Sequence, residues 1–171
     1  MKNYLIKFQT HSPTTRITIA VLLMLCFFLF GSHSSNSQVY INNFTELERF
    51  ADEVNSGRTY SGQYVYLTND IGSPANPFTK MIGNDRDFFH GVFGGGGHTI
   101  YVKIEDTTNQ YVGLFSQHYL GISNLTIAGS ITGRHTVGSI AGLSIGGGIF
   151  SCNNRATITG GDTVGGIVGI L

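Results

Sequence analysis

The sequence predicts an all-β solenoid, a chain wound into stacked coils of about 25–27 residues. Three observations carry that prediction. Gly121–Gly142 and Gly148–Gly169 match without a gap at a period of 27 and share ten residues in step. Self-similarity at a fixed period marks a unit that cannot bury its apolar face alone and stacks on its neighbours. The matched pairs Ile131/Ile158, Val137/Val164 and Ile140/Ile167 are β-branched and lie in short runs closed by glycine, which is strand chemistry. Finally, the 24 glycines follow no collagen period and read as the corners at which each coil turns.

Residues 1–37 read as a secretory signal peptide. Lys2, Lys7 and Arg16 precede an apolar run from Ile17 to Phe30, and Ser35 and Ser37 are small residues that suit cleavage before Gln38. The run is 14 residues long, short of the roughly 17–25 needed to span a bilayer. Retention of residues 17–30 as an anchor is therefore the lesser reading, and no stable membrane span is expected after cleavage. Leu25 is too large to support lipoprotein processing at Cys26. Cleavage leaves seven Lys/Arg against ten Asp/Glu, a formal charge of −3, with no footprint for nucleic acid. Cys152 is then the remaining cysteine, so packing rather than an intrachain disulfide must hold the fold.

Residues 38–80 read as an N-terminal cap with a short helix and the first strands. Thr45-Glu-Leu-Glu48 has the capping-box pattern, and Leu47, Phe50, Ala51 and Val54 form one apolar stripe, which predicts a helix over 45–56 ending near Gly57. A one-faced helix needs a partner, and the open end of a stack supplies one. Tyr64–Leu67 alternates as a strand, Thr68-Asn-Asp70 is turn chemistry, and Pro74 and Pro77 exclude a central strand. Residues 81–171 read as the coils. Met81-Ile82 is a strand candidate, Phe88–Phe93 leads into Gly94–Gly97, and His98–Ile104 alternates again. Tyr111–Phe115 is a degenerate copy, about 25 residues upstream, of the run at Val137–Ile140, so repetition is expected from near His98, in three coils, the last incomplete. Equivalent residues in successive coils would lie about 4.8 Å apart. Burying each contributes roughly 1.5–3 kcal/mol, and only where a neighbouring coil exists. The strand-like run Val164–Ile170 closes the sequence without a cap, which predicts a truncated chain and an end coil open to self-association.

Tyr111-Val-Gly-Leu-Phe115, Val137-Gly-Ser-Ile-Ala-Gly142 and Val164-Gly-Gly-Ile-Val-Gly169 resemble the Val-Gly-Gly-Leu/Ile-x-Gly core of the GLUG-repeat family of exported bacterial surface proteins. Ser151-Cys-Asn153 followed by Ile158-Thr-Gly160 resembles the family's second strand. Phe44–Gly57 and Tyr64–Ile71 are similar to its usual entry, a short helix before a Tyr-x-Leu-Thr-x-Asp-Ile segment. The likeness spans about 40–171. One departure is the turn before His98-Thr-Ile100: Gly94–Gly97 stands where the family has an Asp-Gly-Asn-Gly-like turn, leaving no Asx side chain to brace it. The resemblance implies a right-handed parallel β-helix, export, an adhesin-like surface role and no catalytic residues.

The candidate sites are few. Gly94–Gly97 is followed by His98-Thr99 rather than the Lys-Ser/Thr of a phosphate loop, so it reads as a turn, as does Gly146–Gly148. His90, His98, His118 and His135 show no metal-ligand spacing, and Cys152 aligns with Leu125 as a small core residue. Asp85 and Asp87 around Arg86, and Glu105-Asp106, read as solvated turns. Ser130-Ile-Thr132 and Thr157-Ile-Thr159 form a two-rung hydroxyl ladder. Tyr60, Tyr64, Tyr66, Tyr101, Tyr111 and Tyr119 are scattered, and core edges and caps explain most of them. No catalytic residue, cofactor or metal is assigned, and no ligand is identified. The leading reading is an exported, non-enzymatic repeat module, extracellular or on the cell surface, that binds a surface glycan or a host or cell-surface protein or serves as a stalk. A second is the N-terminal part of a β-helix polysaccharide lyase or glycosidase; a third is an ice- or glycan-binding Thr face.

Overall fold

Alternation of apolar and polar residues along short β-branched runs directs one face of every strand to a common axis. In the computed structural model, which describes residues 38–171, these runs wind into a parallel β-solenoid of about five turns. The signal-peptide reading, the Ile17–Phe30 run and Cys26 lie outside the described residues. The chain enters through β1 (Gln38–Ile41), α1 (Phe44–Asn55), β2 (Tyr64–Leu67) and β3 (Val92–Gly94). One coil follows as β4 (Thr99–Asp106), β5 (Tyr111–Val112), β6 (Phe115–His118) and β7 (Ile122–Ser123). The next is β8 (Thr126–Gly133), β9 (Thr136–Val137), β10 (Ala141–Ser144) and β11 (Ile149–Phe150). The last described strands are β12 (Asn153–Thr159), β13 (Thr163–Val164) and β14 (Val168–Ile170).

These strands build parallel walls that run along the stack, in the orders β1-β2-β3-β7-β11, β4-β8-β12, β5-β9-β13 and β6-β10-β14. The predicted register holds. Ile131 pairs with Ile158 and Val137 with Val164, each 27 residues on, while Val112 pairs with Val137 at 25. Ile131, Val137 and Ile140 are fully buried.

The stack begins earlier than His98, where the repeat in the sequence led us to start it. Ile41 already pairs with Leu67, Val65 with Phe93, and Phe93 with Ile122. The early coil escapes sequence comparison because single bridges, Ile71 to Ile100, Phe78 to Val102, Ile82 to Phe115 and Phe89 to His118, replace continuous strands along much of it. Met81-Ile82, expected as a strand, is present as one of those bridges. Where ladders are sparse, aromatic volume fills the core. Phe78, Phe89, Phe93 and Phe115 are fully buried, and Phe93 meets Phe115 edge-on with centroids 5.2 Å apart.

The helix starts two residues before the capping box at Thr45 would place it. Asn43 is the N-cap: its side chain accepts from the Glu46 N–H at 3.0 Å, and Glu46 in turn accepts from the Asn42 N–H at 2.7 Å. A variant of the capping box is thus built on Asn43 and Glu46 instead of Thr45 and Glu48, with the Glu46 carboxylate reaching past the cap to Asn42. Phe44, drawn into the first turn, packs edge-on to Phe78 with centroids 5.7 Å apart. Leu47, Phe50, Ala51 and Val54 are buried as predicted, and Phe50 lies against Phe89 and Phe93 with centroids 5.5 and 6.1 Å apart. The helix therefore covers the N-terminal end of the core. The opposite end has no such cover among the described residues, and Val164 and Leu171 are 50 and 91% exposed.

One corner repeats where the sequence hides it. Gly97, Asn124 and Ser151, spaced by 27, all adopt left-handed backbone, with φ of +83, +53 and +53°. Asn tolerates this conformation and Ser does so less well. A Cβ at Gly97 would meet nothing within 4 Å, so Gly97→Ala isolates the backbone term. It is expected to destabilise by about 1–2 kcal/mol, whereas Gly166→Ala, equally open and without the positive φ, is expected to be neutral. Urea unfolding of the two variants beside the parent measures the difference.

Candidate functional site

In a solenoid the inward residues are committed to packing, so recognition falls to the outward ones. The glycine loop behaves as a turn. The Gly95 N–H donates to the Ser123 carbonyl, the Gly97 N–H to the Asn124 carbonyl and the His98 N–H to the Gly95 carbonyl, so these amides do not converge on an anion. The missing Asx brace is supplied by the preceding coil, where Asp70 Oδ1 accepts from the Thr99 N–H at 2.8 Å and lies 3.3 Å from His98 Nδ1.

The acidic groups brace turns. Asp106 accepts from the Thr108 and Asn109 amides at 2.8 and 2.9 Å and from both of their side chains. Partial burial works to raise its pKa, but these bonds hold its carboxyl below the usual range. Asp85 accepts from the Gln110 N–H at 3.0 Å, and Asp162 meets His135 Nδ1 at 2.6 Å across one coil. Among the described residues no group of three or more acidic, His or Cys side chains is arranged to hold a metal. Cys152 is half-buried against the core, and burial pushes its thiol up in pKa.

The hydroxyl ladder is in register: Ser130 pairs with Thr157 and Thr132 with Thr159. The preceding coil does not continue it, since the same columns hold Lys103 and Glu105. Tyrosines sort by face. Tyr60 is buried in the core beside Phe50, its hydroxyl bonded to Glu53, and burial followed by that bond raises its pKa far above the usual range. Tyr64 and Tyr66 instead stand on the outer face, with Tyr40 stacked on Tyr66 at 5.8 Å and Tyr64 beside Tyr66 at 6.3 Å. Tyr40 was invisible to a search for clusters because it lies one coil away; its spacing of 26 residues from Tyr66 is the signal that finds it.

The outer face of β4, β8 and β12 carries a groove of about 370 Å³. Ala128 and Gly129 line it beside the backbone of Val102, whose side chain is turned into the core, with Pro74 and Pro77 as a wall and the more exposed Tyr101, Lys103, Ser130 and Arg155 at its rim. Gly129, at φ +107°, lets β8 lie close against β4: a Cβ there would run into the Val102 carbonyl. The wall is stiff, because Ser73 and Asn76 exchange backbone hydrogen bonds at 3.0 and 3.1 Å and two prolines flank the turn. None of these rim cations was legible singly. The register brings them to one face, Arg155 in the column of Tyr101 and Ala128 and Lys103 in the adjacent column of Ser130 and Thr157.

A buried polar pair also went unnoticed in the sequence. Ser116 and His118 on β6 are fully buried, and Ser116 Oγ and His118 Nε2 have no hydrogen-bond partner, while His118 Nδ1 meets the Leu120 carbonyl. Both are sealed from any substrate. Burial lowers the His118 pKa, only partly offset by the Leu120 contact.

No family model matches the chain, and no solved structure matches it. A curated protein named Halomucin, from Haloquadratum walsbyi (strain DSM 16790 / HBSQ001), is 29% identical over 153 residues. That match covers 81% of this chain, and the chain spans about 2% of the length of that protein.

The depressed His118 pKa has a defined sign. The unfolded chain takes up a proton near pH 6.5 and the folded chain only at lower pH, so the His118 contribution to stability is complete above about 6.5 and is lost as pH falls towards the folded value. The slope from this one group cannot exceed about 1.4 kcal/mol per pH unit. Urea midpoints at pH 7.5 and 5 are expected to fall further for the parent than for His118→Gln, and equal falls would refute the assignment.

Proposed function

We propose that the chain is an exported, non-enzymatic repeat module of a cell-surface or secreted adhesin-like protein, acting in binding or as a stalk. The observation that carries the reading is the solenoid itself: a stack held by inward aliphatics and aromatics, with outward positions free to vary from coil to coil. Similarity over 81% of the chain to a protein named as a mucin is compatible with a surface location. The layout of residues 1–37 supports export, and the Val-Gly-Gly-Ile runs support kinship with the GLUG repeats. Surface glycans or cell-surface proteins are the partners this reading requires.

The experiment is expression of the full chain in a bacterial host with N-terminal sequencing of the exported protein. The expected product begins at Gln38; a chain kept in the cytoplasm with Met1 intact would refute export. Val164 and Ile170, exposed on the last described coil, further support self-association of this chain. Sedimentation of the exported protein is expected to show concentration-dependent oligomers that Val164→Lys weakens.

A further inference from the structure

We propose that the groove over β4, β8 and β12 binds a carboxylate-bearing sugar, a uronate unit of an acidic polysaccharide. The inference rests on the reading of the chain as an exported binding module. Four features select this ligand. First, the groove lies on a sheet face, not an edge: β8 bonds to β4 on one side and to β12 on the other, so an extended peptide seated over the face finds no free ladder there. Recognition must come from side chains. Second, Ala128, Pro74 and Pro77 give the lining an apolar side that suits the C–H face of a pyranose ring. Tyr101, half-exposed at the rim, adds an aromatic face beside them.

Third, the rim is cationic. Arg155 is exposed and has no acidic partner among the described residues. Its planar fork matches a carboxylate in two parallel bonds. Lys103 is also exposed and is only loosely held by Glu105 at 3.4 Å. Fourth, the site is stiff before any ligand arrives. The Ser73–Asn76 turn is closed by its own hydrogen bonds, and the opposite side is strand backbone held in parallel register. Tyr101 and Arg155 stand two strand spacings apart, ~10 Å along the stack. A chain of sugars laid along the axis therefore passes the ring before its carboxylate reaches the guanidinium.

The test is titration of the exported protein with polygalacturonate, neutral dextran and dextran sulfate of matched length. Polygalacturonate is expected to bind, with affinity falling as salt rises, and dextran is expected not to. Arg155→Gln is expected to weaken polygalacturonate binding about tenfold, and Arg155→Lys to recover only part of it. Lys103→Gln is expected to weaken binding about two- to threefold, because its charge is exposed and shared with Glu105. All of these side chains face outward, so thermal midpoints should stay at the parent value and report that the fold is intact. Binding of dextran as tightly as polygalacturonate, or unchanged binding by Arg155→Gln, would overturn the proposal. So would equal binding of dextran sulfate together with full activity of Arg155→Lys, which marks generic attraction for polyanions. Protein exported and cleaved at Gln38 that binds no polygalacturonate sinks the groove alone; polygalacturonate binding by a chain that stays in the cytoplasm sinks the export reading alone.

Discussion

A coil of this chain has no inside of its own. Its apolar side chains leave water only where the next coil lies over them, so each turn is stabilised by its neighbours and the first and last turns are the weak points. The burial pattern measures the effect directly. Val137 is fully buried, while Val164, the same residue one register step further on, is 50% exposed. Chemistry does not separate the two valines; position in the stack does. At about 25 cal/mol per Å² of apolar surface, that positional difference decides whether a coil gains or loses by forming.

The N-terminal end answers this constraint with a change of secondary structure. A strand laid across the opening would present another unpaired edge, whereas a helix satisfies its own backbone and offers a single apolar stripe. Leu47, Phe50, Ala51 and Val54 form that stripe, and the core beneath responds by becoming aromatic. Helix and coil differ in shape, and Phe78, Phe89 and Phe93 are large enough to fill the mismatch. Asn55 fastens the two, accepting from the Gly83 N–H at 2.6 Å and donating to the Met81 carbonyl at 3.1 Å.

Legibility in the sequence follows from the same division. The later coils were readable because inward residues recur with the same identity at a fixed period, as Ile131 and Ile158 do. The first turns were not, because Phe, Pro and single bridges solve the packing there without repeating any residue. The corner at Gly97, Asn124 and Ser151 was hidden for a related reason: three different residues meet one backbone demand, and only their φ angles reveal the recurrence. The helix start slipped by two residues because Asn43 and Thr45 are both competent caps, and the packing of Phe44 on Phe78, a contact between residues far apart in the sequence, accompanies the earlier one.

The outer face obeys the opposite rule. A residue that packs inward must suit the coils above and below it, and so it repeats; a residue that points outward carries no such obligation. The column Tyr101, Ala128, Arg155 and the column Lys103, Ser130, Thr157 illustrate the freedom, since each sets unlike residues side by side. A surface of that kind gains its character from differences between coils, and a search for repeats discards those differences. The groove beside Pro74 and Pro77 is assembled from residues spread across 82 positions, Ser73 to Arg155, that share no motif. Its members become neighbours only after the register is known. The physical feature that makes the fold readable, periodic burial, is therefore the one that leaves recognition unread, and the outward columns are where the chemistry of such a chain has to be sought.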